Sequence, residues 1–486
     1  MIYRLRPYQE DCVKSISDYI NSDRRDPVLI VAPVAAGKSI LIAEAARLMG
    51  DKTLVLQPSR ELLIQNYCKL TSYGIPATIY SASCGKKELS NMIYATLGSI
   101  KKVVGQLKEM GIRNVLIDEA HAGYSPEDGS EFMTFMNELK PRKVIGFTAT
   151  PCRLKNMSIG QTSYSQLNFI TRMRPVYFKN LIHVIQVEEM IGQGFWTPLK
   201  YETWDFNGDA LKLNSNGSEY TAESISEAVR KNGLNNLILR RLMVLKDVCR
   251  SILVFMDSVE SCNTAAEWMN AKICAGMAEV VHGGTPKKQR EAIVERFKSG
   301  GTQVVFNYSA LGTGFDHPGL DCVIVGRPTF SFSSFYQWLG RAVRIKDGKD
   351  SALVVDCCNN SSRFGDIREL SIENYKGYGW GMFIGDKLIT NIPMGDKVTK
   401  TDLDIKAAKK DRRRGLAQGV TAAPVPGRPD HPLGSMVMTF GKYCGWMLHS
   451  IPVSYFKFIN ETFDWDNDRN KEIKEYIDFL IKNNKL

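Results

Sequence analysis

The segment Pro27 to Met49, PVLIVAPVAAGKSILIAEAARLM, constrains the fold more than any other part of the chain. A short apolar run typical of a buried strand ends in a loop of small residues, and Gly37-Lys38-Ser39 then opens an amphipathic helix. A strand that passes through such a loop into a helix is typical of an open α/β sheet, which binds its ligands at the carboxyl edge of the strands. The segment therefore predicts a parallel sheet with a nucleotide-phosphate site at that edge.

Each residue of this loop has a predicted task. We expect backbone N–H groups of Ala35, Ala36 and Gly37 to bind phosphate oxygens at the start of the helix. Lys38 is expected to neutralise the β- and γ-phosphates, and the Ser39 hydroxyl to ligate Mg²⁺. Ala35 stands where a second glycine is often found. That difference matters only if the position needs a positive φ, which alanine resists.

Apolar strands and helical patterns alternate in two separate blocks. The first contains TLVLQP, NVLIDEA and KVIGFTAT, and the second contains SILVFMDS, TQVVFNYS, DCVIVGRP and SALVVDC. Continuous apolar strands separated by helices indicate parallel sheets covered on both faces. The predicted fold class is therefore α/β, with two parallel-sheet domains at 1–155 and 236–357. The segment 156–235 is predicted to connect them, with a loop or irregular hairpin at NGDALKLNSNGSE.

The pattern weakens beyond Cys358. Residues 358–433 are predicted to form an extension with a basic run, Lys409 to Arg414, followed by a Pro/Gly-rich linker. The basic run could bind phosphates or form a solvated linker. Residues 434–486 regain apolar content and are predicted to form a small accessory module. Three of its aromatic residues could stack on bases or belong to its core: Tyr443, Trp446 and Tyr455.

Charge and composition indicate which kinds of partner molecule and which compartment to expect. The net charge of +11 with a pI near 9 favours a polyanion such as nucleic acid. No run approaches eighteen apolar residues and the N-terminus lacks a signal-peptide core, so we expect a cytoplasmic chain without a membrane partner. None of the eleven cysteines forms a C-x-x-C pair, which argues against a zinc site or a disulfide framework and predicts reduced, mostly buried thiols.

A second motif follows about eighty residues after the loop. In NVLIDEAH, Asn114 to His121, an apolar strand ends in Asp118-Glu119. An ATPase needs one carboxylate for its metal and another to orient or activate water, and this pair is suited to both tasks. Alternatively, the two acids cap the next helix.

The DEAH sequence at 118–121 resembles the second motif of superfamily 2 helicases, and further motifs of that family appear in order. They are LRPYQ (5–9), LQPSREL (56–62), YATLGSI (94–100), FTATP (147–151), ILVFMDS (252–258), LGTGFDHPGLD (311–321) and QWLGRAVR (337–344). The phosphate loop of this family commonly reads A-P-T-G-A-G-K-T, so Val34, Ala35 and Ser39 differ. VVDCCNNSSRFG and the general layout resemble RadD-like bacterial and UvsW-type phage helicases.

This resemblance implies two RecA-like domains that bind ATP, the substrate, with Mg²⁺ in the cleft between them. It makes Lys38, Asp118 and Glu119 catalytic, together with Arg341 and Arg344 as arginine fingers from the second domain. Either arginine could instead form a surface salt bridge. Six further ATP-site residues are implied: Arg6, Gln9, Ser39, Gly314, Asp316 and Gln337.

The resemblance also implies residues that act on a nucleic-acid strand. His121, Thr148 and Thr150 would couple the ATP site to the strand. The implied strand contacts are Ser59, Arg60, Thr96, Ser99 and Thr313, with Gly314 beside them. Small hydroxyl residues and backbone amides suit phosphate contacts that ignore sequence. Each of these residues could also be a helix cap or turn residue.

The predicted function is an ATP-dependent DNA helicase or translocase in repair, recombination or replication. DNA is favoured over RNA as the track, and the sequence leaves any protein partners unidentified. A translocase or annealing enzyme that never unwinds a duplex, and an RNA helicase, stay open as alternatives. A nucleotide-gated binding protein with impaired turnover is the alternative from a different functional class.

Overall fold

A computed structural model describes residues 4–159, 162–311, 315–376, 378–407, 431–439, 443, 446–462, 465, 470–483 and 485. The chain separates into two compact units. The larger comprises Met1–Tyr375 with Gly379–Val398, and the smaller comprises Lys376–Tyr378 with Thr399–Leu486.

The larger unit begins with alternating helices and strands. They are α1 (Pro7–Asn21), β1 (Val28–Val31), α2 (Lys38–Met49), β2 (Thr53–Leu56), α3 (Arg60–Thr71), β3 (Thr78–Ser81), β4 (Lys86–Lys87), β5 (Met92–Ala95), α4 (Leu97–Ile100), α5 (Val104–Glu109), β6 (Asn114–Ile117), α6 (Glu131–Leu139) and β7 (Lys143–Thr148). Strands β1, β2, β5, β6 and β7 are buried along their whole length, because helices cover both faces of the sheet.

The segment predicted as a connection contains strands of both sheets. After a hairpin of β8 (Cys152–Ile159) and β9 (Thr162–Phe169), strand β10 (Asn180–Val184) pairs in parallel with β1. Helix α7 (Val187–Gly192) follows, and β11 (Leu199–Thr203) then enters the second sheet. The first sheet therefore has the order β10-β1-β7-β6-β2-β5-β3-β4, with only β4 antiparallel among its paired strands.

The two sheets thus include strands β10 and β11, which lie between the predicted domain boundaries at 155 and 236. Strands β10 and β11 lie at sheet edges and mix apolar with half-exposed polar residues. An edge strand lacks the continuous apolar run that marks a central parallel strand, so the criterion that found the central strands misses it. NGDALKLNSNGSE does contain an irregular hairpin, closed by a bridge between Leu213 and Tyr220.

The second sheet repeats the alternation. Its remaining elements are α8 (Ala222–Lys231), α9 (Leu234–Leu245), β12 (Ile252–Phe255), α10 (Val259–Lys272), β13 (Ala278–His282), α11 (Lys287–Ser299), β14 (Val304–Tyr308), β15 (Cys322–Val325), α12 (Phe332–Leu339), β16 (Ala352–Asp356) and α13 (Asn360–Phe364). All pairings are parallel, in the order β11-β16-β15-β12-β14-β13. We call the first sheet with its helices the first α/β domain, and the second sheet with its helices the second α/β domain.

Short antiparallel strands follow, where the sequence predicted an extension. These are β17 (Leu370–Tyr375), β18 (Gly379–Ile384), β19 (Lys387–Leu388) and β20 (Val398–Thr399). Strand β17 pairs with β18, and β18 pairs with β19. Gln186 fixes β17 to the first α/β domain by donating from Nε2 to the Ile372 carbonyl at 2.8 Å.

The smaller unit has its own apolar core. Its described helices are α14 (400–407), α15 (Val453–Thr462) and α16 (Lys471–Lys482). Residues such as Phe456, Tyr476 and Leu480 form the core, and the rings of Tyr443 and Tyr455 pack against it. Trp446 keeps 38% of its surface exposed. The basic run Lys409 to Arg414 lies outside the described residues.

Candidate functional site

The phosphate loop is a tight turn between β1 and α2. The Ala36 N–H donates to the Pro33 carbonyl at 3.1 Å, and Ala35 has a φ of 66° at the third position of this turn. That geometry is a type II turn, whose third position favours glycine. The position therefore does need a positive φ, and alanine occupies it at a conformational cost.

Gly37 leads from this turn into helix α2. Its φ is 83°, and a Cβ there would lie 2.4 Å from Gln9 Nε2. The same Nε2 donates to the Ala36 carbonyl at 2.8 Å, while Gln9 Oε1 accepts from the Arg6 backbone N–H. Gln9 thus holds the start of α1 against the phosphate loop, and glycine is required at position 37 for that approach.

An aromatic residue that the motifs do not mark lies beside Arg6. The Arg6 guanidinium carbon lies 4.5 Å from the centroid of the Phe195 ring, and Tyr8 packs edge-on against the same ring. Phe195 lies between α7 and β11, where the chain crosses from the first sheet to the second. Guanidinium and aromatic faces both stack on a flat base, which suits an adenine site at this place.

Lys38 and the acidic pair form a buried ion cluster. Lys38 Nζ lies 3.0 Å from Asp118 Oδ1 and also contacts Glu119. Burial alone would lower the pKa of the Lys38 ammonium, but the two carboxylates outweigh it and raise that pKa. Asp118, with 1% of its side chain exposed, also accepts from Asn66 Nδ2 at 2.9 Å. Strand β6 ends just before Asp118 and Glu119, which places the two carboxylates beside the loop at the carboxyl edge of the sheet.

The donor set here fits Mg²⁺ and a triphosphate. Asp118 and the Ser39 hydroxyl offer the hard oxygen ligands that Mg²⁺ prefers, and Lys38 offers a cation for phosphate oxygens. The two carboxylates already hold one positive charge, so a divalent cation can replace the ammonium without leaving them unpaired. Asp118 and Ser39 would hold Mg²⁺.

His121 links the acidic motif to the second α/β domain. Its Nδ1 lies 2.7 Å from Thr148 Oγ1, and its Nε2 lies 3.3 Å from Thr150 Oγ1 and 3.2 Å from Ser333 Oγ. Ser333 Oγ also lies 3.0 Å from Thr150 Oγ1. Burial first, and then the charges of Lys38 and Arg153, lower the pKa of His121 to about 3, so its ring is neutral.

The predicted coupling residues therefore meet in one network that spans both α/β domains. Its fourth member, Ser333 at the start of α12, was not singled out from the sequence. A serine four residues before Gln337 carries no signal of its own, because a helix-start serine is common.

The segment QWLGRAVR (337–344), called the arginine segment below, packs directly against the phosphate loop. A Cβ on Gly340 would lie 2.6 Å from the Val34 side chain. Arg341 donates from Nη1 to the Phe315 carbonyl at 2.6 Å, and burial lowers the pKa of its guanidinium to about 10, which leaves it charged at neutral pH. Arg344 lies 3.0 Å from Asp316, so two predicted ATP-site residues form an ion pair.

The chain crossing between the two domains holds both sides of this contact. Trp196 donates its indole N–H to the Val34 carbonyl at 3.2 Å. Thr197 donates its backbone N–H to Val343 and its hydroxyl to the Arg344 carbonyl at 2.7 Å. The crossing segment thereby ties the phosphate loop to the arginine segment, a role that no motif indicated.

Four of the predicted strand contacts follow strands β2 and β5 and lie at the carboxyl edge of the first sheet. Ser59 accepts from the Leu62 N–H as the cap of α3, while Arg60 has a buried Nε without a hydrogen-bond partner in the described chain. Thr96 donates to Ser99, which in turn accepts from the Ala82 N–H. Their role in binding a strand remains a prediction. Ser59, Thr96 and Ser99 all make local hydrogen bonds, whereas Arg60 Nε makes none in the described chain.

Three further predicted site residues belong to the second half of the chain. Thr313 and Gly314 lie outside the described residues. Gln337 lines a cavity formed by residues of the second α/β domain, together with Asn307, Arg327 and Trp338. Its part in ATP binding remains a prediction.

Two families match the chain. Residues 2–153 match the family described as type III restriction enzyme, res subunit, and residues 235–346 match the helicase conserved C-terminal domain. The two matched segments contain the phosphate loop, the acidic motif and the arginine segment.

Individual relatives are distant. The chain is 23% identical over 378 residues to the protein named "Putative ATP-dependent helicase IRC3" of Saccharomyces cerevisiae, across 74% of this chain and 52% of the yeast protein. It is 25% identical over 332 residues to a 51.5 kDa protein of a Lactococcus phage, across 68% of this chain and 65% of that protein. This chain thus spans about half the length of the yeast relative.

Among solved structures, the fold resembles an ATP-dependent type ISP restriction-modification enzyme, LlaBIII, bound to DNA. The TM-score is 0.54 at 16% identity, over 73% of this chain and 28% of that enzyme. A likeness at this identity shows the fold. Across the described residues, no helix combines the length and hydropathy needed to cross a bilayer.

Proposed function

Because the chain is a member of the superfamily 2 helicases, we propose that it hydrolyses ATP and uses each cycle to move along a DNA strand. One observation carries the proposal most directly. The arginine segment of the second α/β domain packs on the phosphate loop of the first, where Gly340 meets Val34. A triphosphate on that loop would therefore have both domains as neighbours.

ATP binding would rearrange the buried ion cluster. The phosphates would attract the Lys38 ammonium, which the two carboxylates now hold. Asp118 would then hold Mg²⁺ with Ser39, and Glu119 would orient or activate the attacking water. Mg²⁺ bound there neutralises charge that builds up on the phosphate oxygens.

The second α/β domain would complete the site. Arg341 is buried and charged, and Arg344 is held by Asp316, so both guanidiniums are kept near the domain interface. As arginine fingers they would stabilise transition-state charge on the γ-phosphate. Loss of that phosphate removes their ligand, so the interface relaxes and the cycle becomes a relative movement of the two domains.

Three features support nucleic acid as the track, with DNA preferred. The chain carries a net charge of +11. Hydroxyl and basic side chains gather at the carboxyl edge of the first sheet, where Arg60 has a free buried donor. The similar LlaBIII enzyme is a DNA-bound protein. The proposed setting is DNA repair, recombination or replication.

The deciding experiment is a steady-state ATPase assay titrated with single-stranded DNA, duplex DNA, forked DNA and RNA. We expect many-fold stimulation by single-stranded DNA and weaker stimulation by RNA. The Lys38→Ala variant is the control, and we expect its rate to fall roughly a hundredfold, as for other deleted electrostatic stabilisers. Native ATPase that no nucleic acid stimulates would refute the motor. Substantial activity in Lys38→Ala would refute the assignment of the loop.

A fork-unwinding assay beside a translocation assay tests the helicase activity itself. Strand separation is expected on a forked substrate with ATP. Translocation without strand separation would identify a translocase or annealing enzyme instead.

A further inference from the structure

Lys349 is a basic residue outside the helicase motifs, in the loop between α12 and β16. Its Nζ donates to three backbone carbonyls, those of Pro318 at 3.2 Å, Ala342 at 2.6 Å and Arg344 at 2.9 Å. An ammonium has three N–H donors and no acceptor, so these bonds occupy all of its donors. The side chain of Lys349 is thus fully committed to the backbone around the arginine segment.

A tight turn directs Lys349 back toward the arginine segment. The Lys349 N–H donates to the Lys346 carbonyl at 3.1 Å, and Gly348, the third residue of that turn, has a φ of 74°. Glycine adopts this left-handed conformation without strain. The turn therefore returns the chain so that the Lys349 ammonium reaches a carbonyl five residues earlier, at Arg344.

Donors from two directions hold the end of the arginine segment. Thr197, in the crossing segment, donates its backbone N–H to the carbonyl of residue 343 and its hydroxyl to that of residue 344. Lys349 donates to the carbonyls of residues 342 and 344. Three consecutive carbonyls are thereby fixed between Arg341 and the end of the segment. Because a bonded carbonyl fixes the plane of its peptide, these bonds also set the direction in which the neighbouring arginine side chains leave the backbone.

Lys349 also joins the arginine segment to residues 315–318. Arg341 donates to the carbonyl of residue 315, and Arg344 pairs with the carboxylate of Asp316. The bond from Lys349 to the carbonyl of residue 318 adds a third tie between the two stretches. The first two ties occupy the arginine side chains themselves, whereas Lys349 holds the backbones together and leaves the guanidiniums available.

We propose that the Lys349 ammonium is a positioning group for ATP hydrolysis, because it holds the arginine segment where Arg341 and Arg344 can face the γ-phosphate. The inference rests on the proposed function, in which these two arginines stabilise transition-state charge. In this role Lys349 acts through backbone carbonyls and does not touch the nucleotide. A misplacement of about 1 Å can cost about a hundredfold in rate, so the backbone that carries a catalytic side chain has to be held firmly.

The charge on Lys349 changes within an accessible pH range. Burial lowers the pKa of its ammonium to about 8; the charges of Arg344 and Lys346 lower that pKa too, whereas Asp321 raises it. His317 lies nearby and is neutral at this pH, because burial lowers its own pKa to about 4. Above pH 8 the Lys349 amine loses its charge and one of its three donors, so its hold on the arginine segment weakens.

The test measures steady-state ATPase kinetics with saturating single-stranded DNA. Lys349→Met removes all three donors and keeps an unbranched side chain, and Lys349→Arg keeps a charge at every pH at which the protein is folded. Lys143→Met is the matched control. Lys143 Nζ also donates to three backbone carbonyls, those of Tyr19, Ser22 and Arg24, but it begins β7 and so lies at the opposite edge of the first sheet from the phosphate loop.

For Lys349→Met we expect kcat to fall roughly tenfold or more, as for lost hydrogen bonds from a charged group, with the ATP KM within about twofold of the native value. A lower kcat at a constant KM marks an interaction that serves the transition state. Lys349→Arg should recover part of the lost turnover, because it keeps the charge. Lys143→Met should lower the urea midpoint but keep the native kcat in the folded protein.

The pH profile separates a positioning charge from a general structural contact. The ratio of native to Lys349→Arg turnover should fall several-fold between about pH 7 and pH 9, since only the native residue loses its charge over that range. Circular dichroism verifies folding, and this ratio decides the question even if Lys349→Met does not fold. A constant ratio would overturn the proposal.

Two results with the methionine variants would overturn it as well. These are a native kcat in Lys349→Met and a fall in kcat of equal size in Lys143→Met. A native chain that hydrolyses no ATP with any nucleic acid would instead refute the proposed function, on which the role of Lys349 depends.

Discussion

Replacement of Ala35 by glycine should stabilise the protein, although glycine usually weakens a fold. Ala35 has a φ of 66° at the third position of the type II turn closed by Ala36 and Pro33. An L-residue with a side chain pays about 1–2 kcal/mol for a left-handed conformation. Glycine avoids that cost but loses about 0.5–1 kcal/mol of extra chain entropy on folding. The net expectation for Ala35→Gly is a gain of about 0.5–1 kcal/mol in the free energy of unfolding.

The neighbouring Ala36 provides the matched control. It is fully buried, and its φ is not among the positive values found in the described chain. Ala36→Gly therefore brings the entropic cost without relief of strain, and we expect a loss of about 0.5–1 kcal/mol. The two substitutions remove the same methyl group from adjacent residues, yet they should shift stability in opposite directions.

Urea unfolding followed by circular dichroism measures both changes, with midpoints compared at a common m value. The ATP KM of Ala35→Gly should stay within about twofold of the native value, because glycine adopts the same turn without strain. A loss of stability in Ala35→Gly equal to that in Ala36→Gly would refute the reasoning. It would mean that residue 35 does not hold a left-handed conformation in the folded protein.

Three further predictions concern the contacts between the two α/β domains. Gly340→Ala places a methyl group 2.6 Å from the Val34 side chain, so ATPase turnover should fall tenfold or more. A second substitution, Val34→Gly, should restore part of that turnover. Unchanged turnover in Gly340→Ala would contradict the close contact. Ser333→Ala removes the hydroxyl that bonds across the two domains, so ATPase turnover should fall roughly fivefold, as for the loss of one hydrogen bond. The ATP KM should stay nearly constant, and Ser333→Thr should remain active. A change confined to KM would contradict a coupling role. Burial lowers the pKa of His121 from 6.5 to about 3 in the folded protein. As the pH falls below 6.5, His121 is therefore protonated in the unfolded chain but not in the folded one, and the folded protein loses stability. Between pH 7.5 and 5.5 the native chain should lose about 1.4 kcal/mol more than His121→Gln in urea unfolding, and equal losses would mean that His121 is not held neutral.

The amino-acid sequence by itself determined the local elements of this protein. Central strands such as Val28–Val31 and Asn114–Ile117 are continuous apolar runs, because a parallel strand is buried on both faces. The phosphate loop and the Asp118-Glu119 pair follow such strands directly, so the chemistry of the candidate ATP site could be predicted from neighbours along the chain. Those predictions needed only periodicity and residue type.

Tertiary structure alone decided the contacts between distant segments. Strand Asn180–Val184 joins the first sheet at its edge, where half-exposed residues leave no apolar run for a sequence pattern to detect. Thr150 and Ser333 are 183 residues apart, yet their hydroxyls lie 3.0 Å from each other. Burial and hydrogen-bond pairing are properties of packing in three dimensions, and a one-dimensional pattern does not contain them.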